Sequence, residues 1–431
     1  MKSPQAALAL WMERLNGLDA SRIELGLERV RAALGRLDFH AVPFRVATVG
    51  GTNGKGSTVT CLAGWLQAAG LGPVGRYTSP HLLDYRERIV VDGRMMAAEQ
   101  LVEAFEAVEQ ARGDIPLTYF EFGTLAALEV FRRAGVTHAV LEVGLGGRLD
   151  AVNALDADVA AVVSVGLDHQ QWLGDDRDSI GREKAGIFRP GRPAVIGDAD
   201  PPAGLLEAAS RQGADVWLRG RDFGIIDAPN GWHYRGRNLS RGPLPEPATG
   251  GRLQRGNAAV ALALFEALAP EHLPDRDTLA RTCGQLRLPG RLDSRQGDVE
   301  WLLDVAHNPQ AAAMLAAWLK AAPPRRTLAV FAMLADKDAA GVAATVAPAV
   351  TRWFLAPLTG RRGQSAAELA SKTADTLRAP VLCENMASAL RAALQSARGG
   401  DRIVVFGSFH TVEEALATGL IPDQEAPCAI A

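Results

Sequence analysis

The residues with the strongest chemical signal form a short glycine-rich segment, Gly51-Thr52-Asn53-Gly54-Lys55-Gly56-Ser57-Thr58. An apolar run of strand length precedes it, and an apolar helical stretch follows it. Accessible backbone N–H groups, the positive end of a helix and one lysine together form a cradle for a polyphosphate. The spacing departs from the usual GxxxxGK[ST] loop, because Val49 occupies the first glycine position and Gly56 separates Lys55 from Ser57. The segment predicts a nucleotide-phosphate site, with a simple lysine-bearing turn as the alternative.

Acidic and histidine side chains follow two apolar strands further along the chain. Glu142 ends the run 137–142, and Asp168-His169 follows the run 159–166. The carboxyl ends of parallel strands meet at one edge of an open α/β sheet, where ligands bind. Hard oxygen ligands favour Mg²⁺, for which a histidine is a less usual ligand. The two strand ends therefore predict a metal site beside the phosphate loop; the alternative is that each residue caps the element that follows it.

A second glycine-rich segment, Val143-Gly144-Leu145-Gly146-Gly147, lacks the G-x-G-x-x-G spacing of a dinucleotide-binding loop. Arg148-Leu149-Asp150 follows it in place of an apolar helix start. We therefore interpret the segment as backbone that approaches a ligand closely, which glycine permits. A dinucleotide-dependent oxidoreductase, which would rest on this segment alone, is set aside.

The elements that must position these residues alternate between strands and helices. In the first part of the chain the pattern predicts strands at 44–51, 137–144 and 159–166, helices at 57–70, 120–135 and 256–269, and an aromatic-bearing hairpin within 222–250. A second series predicts a strand and loop at 299–309, a helix at 310–322, and strands at 326–334, 351–358, 379–383 and 402–409. Such alternation is typical of parallel sheets flanked by helices. We predict two α/β domains, 1–290 and 295–431, divided within the polar segment 285–298.

Composition excludes several classes of protein. The chain has 431 residues, of which 48% are apolar, and 46 Lys+Arg against 49 Asp+Glu give a formal charge of −3. This balance indicates no surface for nucleic acid or anionic lipid. No apolar run approaches the ~18 residues of a membrane span, and the first 15 residues predict a helix rather than a signal peptide. Four distant cysteines, Cys61, Cys283, Cys383 and Cys428, argue against a disulfide framework or zinc site and favour the reducing cytoplasm.

Seven motifs occur in a fixed order along nearly the whole chain, from about residue 20 to 410. They are GTNGKGS (51–57), YTSPH (77–81), LEVGLGGRLD (141–150), DH (168–169), EKAG (183–186), LPGR (288–291) and DVAHNP (304–309). With this combination the chain resembles the folylpolyglutamate synthase/dihydrofolate synthase family, in its bacterial bifunctional form, within the Mur ligase superfamily. The resemblance implies a Mur ligase-like fold with an N-terminal P-loop-type ATPase domain, built on a mostly parallel sheet, and a smaller Rossmann-like C-terminal domain.

The resemblance also implies roles for individual residues. ATP phosphates would bind the loop formed by Thr52, Asn53, Gly54, Lys55, Gly56 and Ser57. The nucleotide would lie between the domains and would also be held by Asn257, Arg291, Asp304 and His307. One Mg²⁺ would bind Ser79, Glu142 and His169, and a second would be assisted by Lys184 as a carbamate. The residue patterns leave two alternatives, Asn257 as the N-cap of a helix and Lys184 as an unmodified surface lysine paired with Glu183.

The pterin pocket implied by the resemblance is lined by three segments. They contribute Arg22, Ile23 and Glu24; Thr118, Tyr119, Phe120 and Glu121; and Leu149, Asp150 and Ala151. Phe120 would stack on the pterin ring, and Glu121 or Glu24 would accept its N–H groups. A core aromatic on the following helix is the alternative for Phe120.

The activity implied is an ATP-dependent ligation. L-Glutamate would be added to dihydropteroate and to the γ-carboxylate of tetrahydrofolates through an acyl phosphate, with ADP and phosphate released. Lys55, His169 and Lys184 would be the catalytic residues, and the partners would be small molecules alone, with a monomeric protein. Two alternatives stay open: a Mur-type ligase acting on a nucleotide-linked peptide precursor, and a regulatory ATPase, which leaves 290–431 unexplained.

Overall fold

The computed structural model describes residues 3–18, 24–247, 250–285, 288–360 and 362–423. The chain forms two compact units, one built from Met1–Glu246 and Arg255–Leu286 and the other from Pro247–Gln254 and Arg287–Ala429. The short segment 247–254 thus belongs to the second unit, although two helices of the first unit follow it in the sequence. Both units combine sheets with helices, as the strand–helix alternation predicted.

The main sheet of the first unit has eight strands. They are β1 (Arg45–Gly50), β2 (Val74–Tyr77), β3 (Ile89–Val91), β4 (Arg94–Met95), β5 (His138–Glu142), β6 (Val159–Val162), β7 (Pro193–Ile196) and β8 (Asp215–Leu218). The strand order is β4-β3-β2-β5-β1-β6-β7-β8. The six strands from β2 to β8 in this order are parallel, and β3 and β4 form an antiparallel edge. The mostly parallel sheet is therefore confirmed.

Helices cover both faces of this sheet. They are α1 (Pro4–Asn16), α2 (Glu28–Arg36), α3 (Lys55–Ala68), α4 (Ala98–Arg112), α5 (Tyr119–Arg133), α6 (Gln170–Leu173), α7 (Arg177–Ala185), α8 (Ala203–Arg211), α9 (Arg255–Leu268) and α10 (Arg276–Gln285). Leu141 of β5 lies in a core with Phe122 of α5, whereas the preceding Val140 lies in a second core with Leu62 of α3 and Leu262 of α9. Alternation of side chains along a strand explains why one strand serves two cores.

Two boundaries differ from the prediction near the glycine-rich loop. Helix α3 begins at Lys55 rather than at 57, because Gly54 adopts a left-handed conformation (φ 85°) and is the N-cap residue. Strand β6 ends at Val162 rather than at 166. The residues after it leave the strand because Ser164 bonds to the loop after β1.

The aromatic-bearing segment within 222–250 is a small antiparallel sheet. It contains β9 (Gly224–Ala228), β10 (Gly231–Arg235) and β11 (Ser240–Leu244), in the order β11-β10-β9. The hydroxyl of Tyr234 donates to Glu266 Oε2 at 2.7 Å, and the N–H of Asn238 donates to Glu266 Oε1 at 2.7 Å. Tyr234 and Glu266 are both buried. This polar contact therefore ties the small sheet to α9.

The second unit holds a six-stranded sheet. Its strands are β12 (Asp293–Arg295), β13 (Glu300–Asp304), β14 (Thr327–Phe331), β15 (Arg352–Leu355), β16 (Val381–Leu382) and β17 (Arg402–Phe406), and its helices are α11 (Pro309–Ala321), α12 (Ala339–Val346), α13 (Ala366–Lys372), α14 (Met386–Ser396) and α15 (Phe409–Ala417). The order is β12-β13-β17-β14-β15-β16, and only the pairing of β12 with β13 is antiparallel. The predicted strands are all present, each a few residues shorter than its apolar run.

The N-terminal stretch that predicts a helix forms α1, which Ser3 caps through its side chain. In the ranges that the structure describes, no helix combines the length and the apolar character needed to cross a bilayer.

The contact between Tyr234 and Glu266 generates a stability prediction. Tyr234→Phe keeps the ring but leaves a buried carboxylate oxygen without its donor, so we expect the free energy of unfolding to fall by about 1–3 kcal/mol. Denaturant unfolding followed by circular dichroism measures this change. Ile226→Thr, on the exposed side of the same sheet, is the control and is expected to cost less than about 0.5 kcal/mol. Equal stability of Tyr234→Phe and the unaltered protein would contradict the prediction.

Candidate active site

Four neighbouring parallel strands, in the order β2-β5-β1-β6, bring the predicted site residues to one edge of the main sheet. In the register of these strands, Tyr77 pairs with Leu141, Val49 with Glu142, and Gly50 with Val162. The strands therefore end nearly level, about 4.8 Å apart from neighbour to neighbour. The segments that follow them are the TSPH segment, Glu142 with the second glycine-rich segment, the phosphate loop and the segment 163–169.

The phosphate loop is fastened to the segment after β6. The N–H of Thr52 donates to the carbonyl of Ser164 at 2.8 Å, and the N–H of Asn53 donates to the Ser164 hydroxyl at 3.0 Å. The hydroxyl of Thr52 also accepts the N–H of Gly166 at 2.9 Å. Gly51 (φ 146°) lies so close to Val163 and Ser164 that a Cβ would stand 3.2 Å from their backbone nitrogens. Two neighbouring strand ends therefore hold the loop in one conformation.

Lys55 and Asn257 both lie against this loop. The ammonium of Lys55, in the first turn of α3, donates to the carbonyls of Gly51 at 3.0 Å and Thr52 at 3.2 Å. The carbonyl of Asn257 accepts the Thr58 hydroxyl at 3.4 Å. Because α9 begins at Arg255, Asn257 lies inside the helix, and the alternative that it is an N-cap is wrong. The structure thus brings together the predicted loop and one of the predicted nucleotide-binding residues outside it.

The predicted metal ligands lie at the ends of β2, β5 and β6, with β1 between the last two. Glu142 is 2% exposed, and its Oε2 accepts the N–H of Ser79 at 3.1 Å. His169 precedes α6 in a left-handed conformation (φ 52°), and its N–H donates to Asp168 Oδ1 at 2.9 Å. Across the described ranges, the structure has no group of three or more His, Cys, Asp or Glu side chains that could hold a metal ion. A site here therefore needs donors of other types, such as the Ser79 hydroxyl.

Lys184 is buried in the last turn of α7 and is 3% exposed. Burial and the nearby Lys55 ammonium lower the pKa of the Lys184 amine to about 7, while Asp168 and Asp150 oppose the shift. Glu183 instead binds Arg148, with 2.9 Å between Oε1 and Nη2. The alternative of a surface lysine paired with Glu183 is therefore wrong. With a pKa this close to neutral pH, a larger fraction of the Lys184 amine is uncharged than in an ordinary surface lysine.

Asp150 organises the second glycine-rich segment. Its carboxylate accepts the N–H groups of Leu145 at 2.9 Å and Val152 at 3.1 Å. Burial raises the pKa of Asp150 to about 6, against these hydrogen bonds and the Lys55 charge.

The glycines of this segment allow close approach within the protein. A Cβ on Gly144 would stand 2.6 Å from Phe120 Cζ, and one on Gly147 would stand 2.8 Å from the carbonyl oxygen of Lys184. The sequence predicted close approach to a ligand. In the structure, the elements that Gly144 and Gly147 approach closely are α5 and α7.

The predicted pterin residues cluster around the start of α5. Thr118 is its N-cap, and the Glu121 carboxylate accepts the Thr118 N–H at 2.7 Å. Phe120 is half-buried, with its ring 6.1 Å from that of Tyr77 and the remaining part accessible. Tyr119 and Leu149 are half-buried, and Ala151 is buried. Arg22 and Ile23 lie outside the described residues.

Arg29 joins two of the predicted acidic residues. Its Nη2 donates to Glu121 Oε1 at 2.9 Å, and its Nη1 donates to Glu24 Oε1 at 2.7 Å. The sequence analysis missed Arg29, because a single arginine on an amphipathic helix carries no pattern. It also missed Ser164, which lay inside the predicted strand 159–166; a polar residue within that apolar run was a signal that the strand ends before it.

The remaining predicted nucleotide residues belong to the second unit. Asp304 ends β13, and its carboxylate accepts the N–H groups of Leu292 and Ala306, both at 2.8 Å. Burial raises the pKa of Asp304 to about 6. The Arg291 guanidinium lies 5.4 Å from the ring centre of Phe409, and His307 Nδ1 is 3.0 Å from the carbonyl oxygen of Val305. Asp304 thus shapes the loop that carries His307.

The left-handed Gly54, before α3, generates a prediction with a matched control, Gly70, just after the same helix. A Cβ at Gly54 would collide with Asn257 Oδ1 and stand 2.9 Å from Val163 Cγ1, whereas Gly70 (φ 73°) has nothing within 4 Å. Both substitutions by alanine place a side chain in a left-handed residue, at a cost of roughly 1–2 kcal/mol. We expect Gly54→Ala to weaken ADP binding at least about tenfold, and Gly70→Ala to leave it unchanged. Isothermal titration calorimetry measures both, and equal affinities would contradict the assignment of the loop.

Comparison with known proteins agrees with this architecture. The Mur ligase middle domain matches residues 49–228, and the Mur ligase glutamate ligase domain matches residues 290–409. The dihydrofolate synthase/folylpolyglutamate synthase of Escherichia coli (strain K12) is 42% identical over 421 residues, covering 96% of each chain.

Solved structures agree in the same way. E. coli FolC in complex with DHPP and ADP superposes with a TM-score of 0.90 at 41% identity, over 97% of this chain and 99% of that one. A bifunctional folylpolyglutamate synthase/dihydrofolate synthase with Mn, AMPPNP and L-glutamate bound gives 0.87 at 43% identity, over 95% and 97%. With both Mur ligase domains in order and such relatives matched along almost their whole length, the chain belongs to the dihydrofolate synthase/folylpolyglutamate synthase family of Mur ligases.

Proposed function

We propose that the protein is an ATP-dependent ligase that adds L-glutamate to 7,8-dihydropteroate and to the γ-carboxylate of tetrahydrofolates. The observation that carries this proposal is the placement of the Lys55 loop, Glu142 and Ser79 on adjacent strand ends. Relatives that share this architecture hold DHPP and ADP in one structure, and Mn, AMPPNP and L-glutamate in another. These ligands support the three substrate classes proposed here, which are a pterin acceptor, ATP and L-glutamate.

The reaction proceeds in two steps. A carboxylate oxygen of the pteroate or folate attacks the γ-phosphorus of ATP, the bond to the β,γ-bridging oxygen breaks, and ADP leaves. The amine of glutamate then attacks the acyl carbon, loses a proton, and displaces phosphate to give the amide. No protein nucleophile is needed, so catalysis consists of positioning and of stabilising negative charge.

The residues of the phosphate loop supply much of this stabilisation. The Lys55 ammonium already stands over the carbonyls of Gly51 and Thr52, at the amino end of α3. A helix amino end and backbone N–H groups favour a phosphate. We assign to Lys55 the stabilisation of the negative charge that builds up on the transferred phosphoryl group. His169 is placed beside that group.

The donor set at the sheet edge fits Mg²⁺, for which Ser79, Glu142 and His169 are the proposed ligands. A carboxylate and a hydroxyl are hard oxygen donors, and Glu142 is held against Ser79 by a backbone hydrogen bond. When bound, the cation neutralises charge on the phosphate oxygens. A second ion would require a further anionic donor, and a carbamate on buried Lys184 is the group proposed for it.

The proposed pterin site lies around Phe120, where the aromatic face that remains accessible offers stacking. Arg29 fixes the carboxylates of Glu121 and Glu24, and these are proposed to accept pterin N–H groups. Arg291, Asp304 and His307 stay predicted nucleotide contacts.

The free thiols of Cys61, Cys283 and Cys383 support a reducing compartment, the cytoplasm.

Release of ADP by the purified protein tests the proposal. With Mg²⁺-ATP and L-glutamate, we expect turnover with 7,8-dihydropteroate and with tetrahydrofolate, and none without an acceptor, because the carboxylate is the nucleophile. Turnover with tetrahydrofolate but not with 7,8-dihydropteroate would show that the protein only elongates the glutamate chain of folates. Equal ADP release without acceptor or glutamate would indicate a regulatory ATPase, and faster release with a UDP-linked peptide precursor would indicate another Mur-type ligase.

Two lysine variants provide the control for this assay. Lys55→Met removes the charge at the loop and is expected to abolish turnover while the protein stays folded. Lys320→Ala, on the exposed last turn of α11, is expected to leave turnover unchanged. Near-normal rates for Lys55→Met would contradict the phosphate assignment.

Carbamylation of Lys184 has a definite pH dependence. The neutral amine attacks the carbon of CO₂ and loses a proton, so the reaction requires the form that dominates above the pKa of about 7. With ¹³C-bicarbonate, we expect a carbamate signal in the ¹³C spectrum well above pH 7 that declines as the pH falls through 7 and the amine is protonated.

Lys184→Arg is the control for this experiment, since arginine stays protonated and forms no carbamate. It is expected to remove the signal. A spectrum identical to that of the unaltered protein would assign the signal to another lysine.

A further inference from the structure

Arg76, on β2, is a half-buried cation bonded to α3 that the proposed mechanism does not use. Its Nη1 donates to the Thr60 hydroxyl at 3.2 Å, which joins β2 to α3. Its Nε is buried and has no hydrogen-bond partner in the described part of the chain. A buried N–H without a partner lowers stability, so this guanidinium is costly to the fold. An apolar side chain of similar length would pack there without that cost.

The guanidinium lies on the same face of the sheet as Glu142. Arg76 pairs with Val140 in the register of β2 and β5, and Val140 lies in the core with α3. Glu142 follows Val140 by two positions, so its side chain projects from the same face. Burial lowers the pKa of the Arg76 guanidinium, and the carboxylates of Glu142 and Glu87 partly oppose this shift.

Of these two carboxylates, Glu87 is committed to its own loop. It accepts the N–H groups of Leu82 at 2.7 Å, Leu83 at 2.8 Å and Asp84 at 2.7 Å. Glu142 is the one at the sheet edge, beside Ser79. The Arg76 charge therefore acts on Glu142, which ends the strand paired with β1.

Arg76 is also near the loop itself. Its partner Thr60 follows Lys55 by five positions in α3, which is about 7.5 Å along the helix axis. A partly buried charge at this range is screened less by salt than an exposed one. Without a cation there, the Glu142 carboxylate would repel a polyphosphate that arrives at the loop.

We propose that Arg76 is a positioning residue for the nucleotide, whose fixed positive charge offsets Glu142 and so permits ADP or ATP to bind before a divalent cation does. This inference rests on the proposed function, because only a loop that binds nucleotide has this requirement. The same charge repels a divalent cation in the absence of nucleotide. Arg76 therefore favours binding of nucleotide first, or of the metal–nucleotide complex, over binding of free metal.

Calorimetric titration of Arg76→Met with ADP and with Mn²⁺, each alone, tests the proposal. We expect ADP without metal to bind about tenfold more weakly, and Mn²⁺ without nucleotide to bind at least as tightly as to the unaltered protein. Opposite changes in the affinities for ADP and Mn²⁺ would indicate an effect of the Arg76 charge, because a disturbed site would weaken the binding of both. Arg76→Lys keeps the charge and is expected to restore ADP binding.

Thr60→Val is the matched control, since it removes the hydrogen bond of Arg76 and keeps the charge. It is expected to bind ADP within about twofold of the unaltered protein. Unchanged ADP affinity in Arg76→Met, or weaker binding of both ADP and Mn²⁺, overturns the inference. If Arg76→Met does not fold, as judged by circular dichroism, Arg76→Gln takes its place under the same criteria. Failure of the unaltered protein to bind ADP would instead overturn the proposed function.

Discussion

The parallel pairing of β1 with β5 on one side and β6 on the other is the constraint on which the site depends. A register shift of one residue would turn every side chain of a strand to the opposite face. Glu142 would then point into the core occupied by Leu141, and a buried carboxylate there would have no polar surroundings. Two apolar cores, one on each face, fix the register, and the register in turn fixes which side chains meet at the edge of the sheet.

Around that edge the protein gathers buried charges of both signs, among them Glu142, Asp150 and Lys184. Lys55 lowers the pKa of the buried Lys184 amine and also acts against the rise in the pKa of Asp150. Because the effective dielectric constant is low, each charge alters its neighbours strongly. The outcome is a lysine and an aspartate whose pKa values both lie near neutrality, about 7 and about 6. Such a site suits a reaction that handles phosphate, carboxylate and metal charges without a protein nucleophile.

Close approach of backbone segments makes this concentration of groups possible. Gly144 allows the Phe120 ring to lie against the bend that Asp150 holds, and Gly147 allows α7 to bring Lys184 towards the loop. Gly54 likewise admits Asn257 to the start of α3. At each of these positions a methyl group would separate two elements that each carry a group of the site. The glycines therefore set the distances between elements, whereas the strands set their order.

The sequence by itself determined the strand–helix alternation, the glycine-rich loop and the motif order, because these are local patterns of residue type and spacing. The α/β class, the position of the glycine-rich loop and the family follow from these patterns. The end of β6 at Val162 depended instead on bonds between Ser164 and the loop after β1, far apart in the chain, and the start of α3 at Lys55 depended on the left-handed conformation of Gly54. Tertiary structure alone decided that Lys184 is buried, that Glu183 pairs with Arg148, and that Arg29 and Arg76 face carboxylates. A single charged residue carries no periodicity, so its environment is known only once the elements around it have packed.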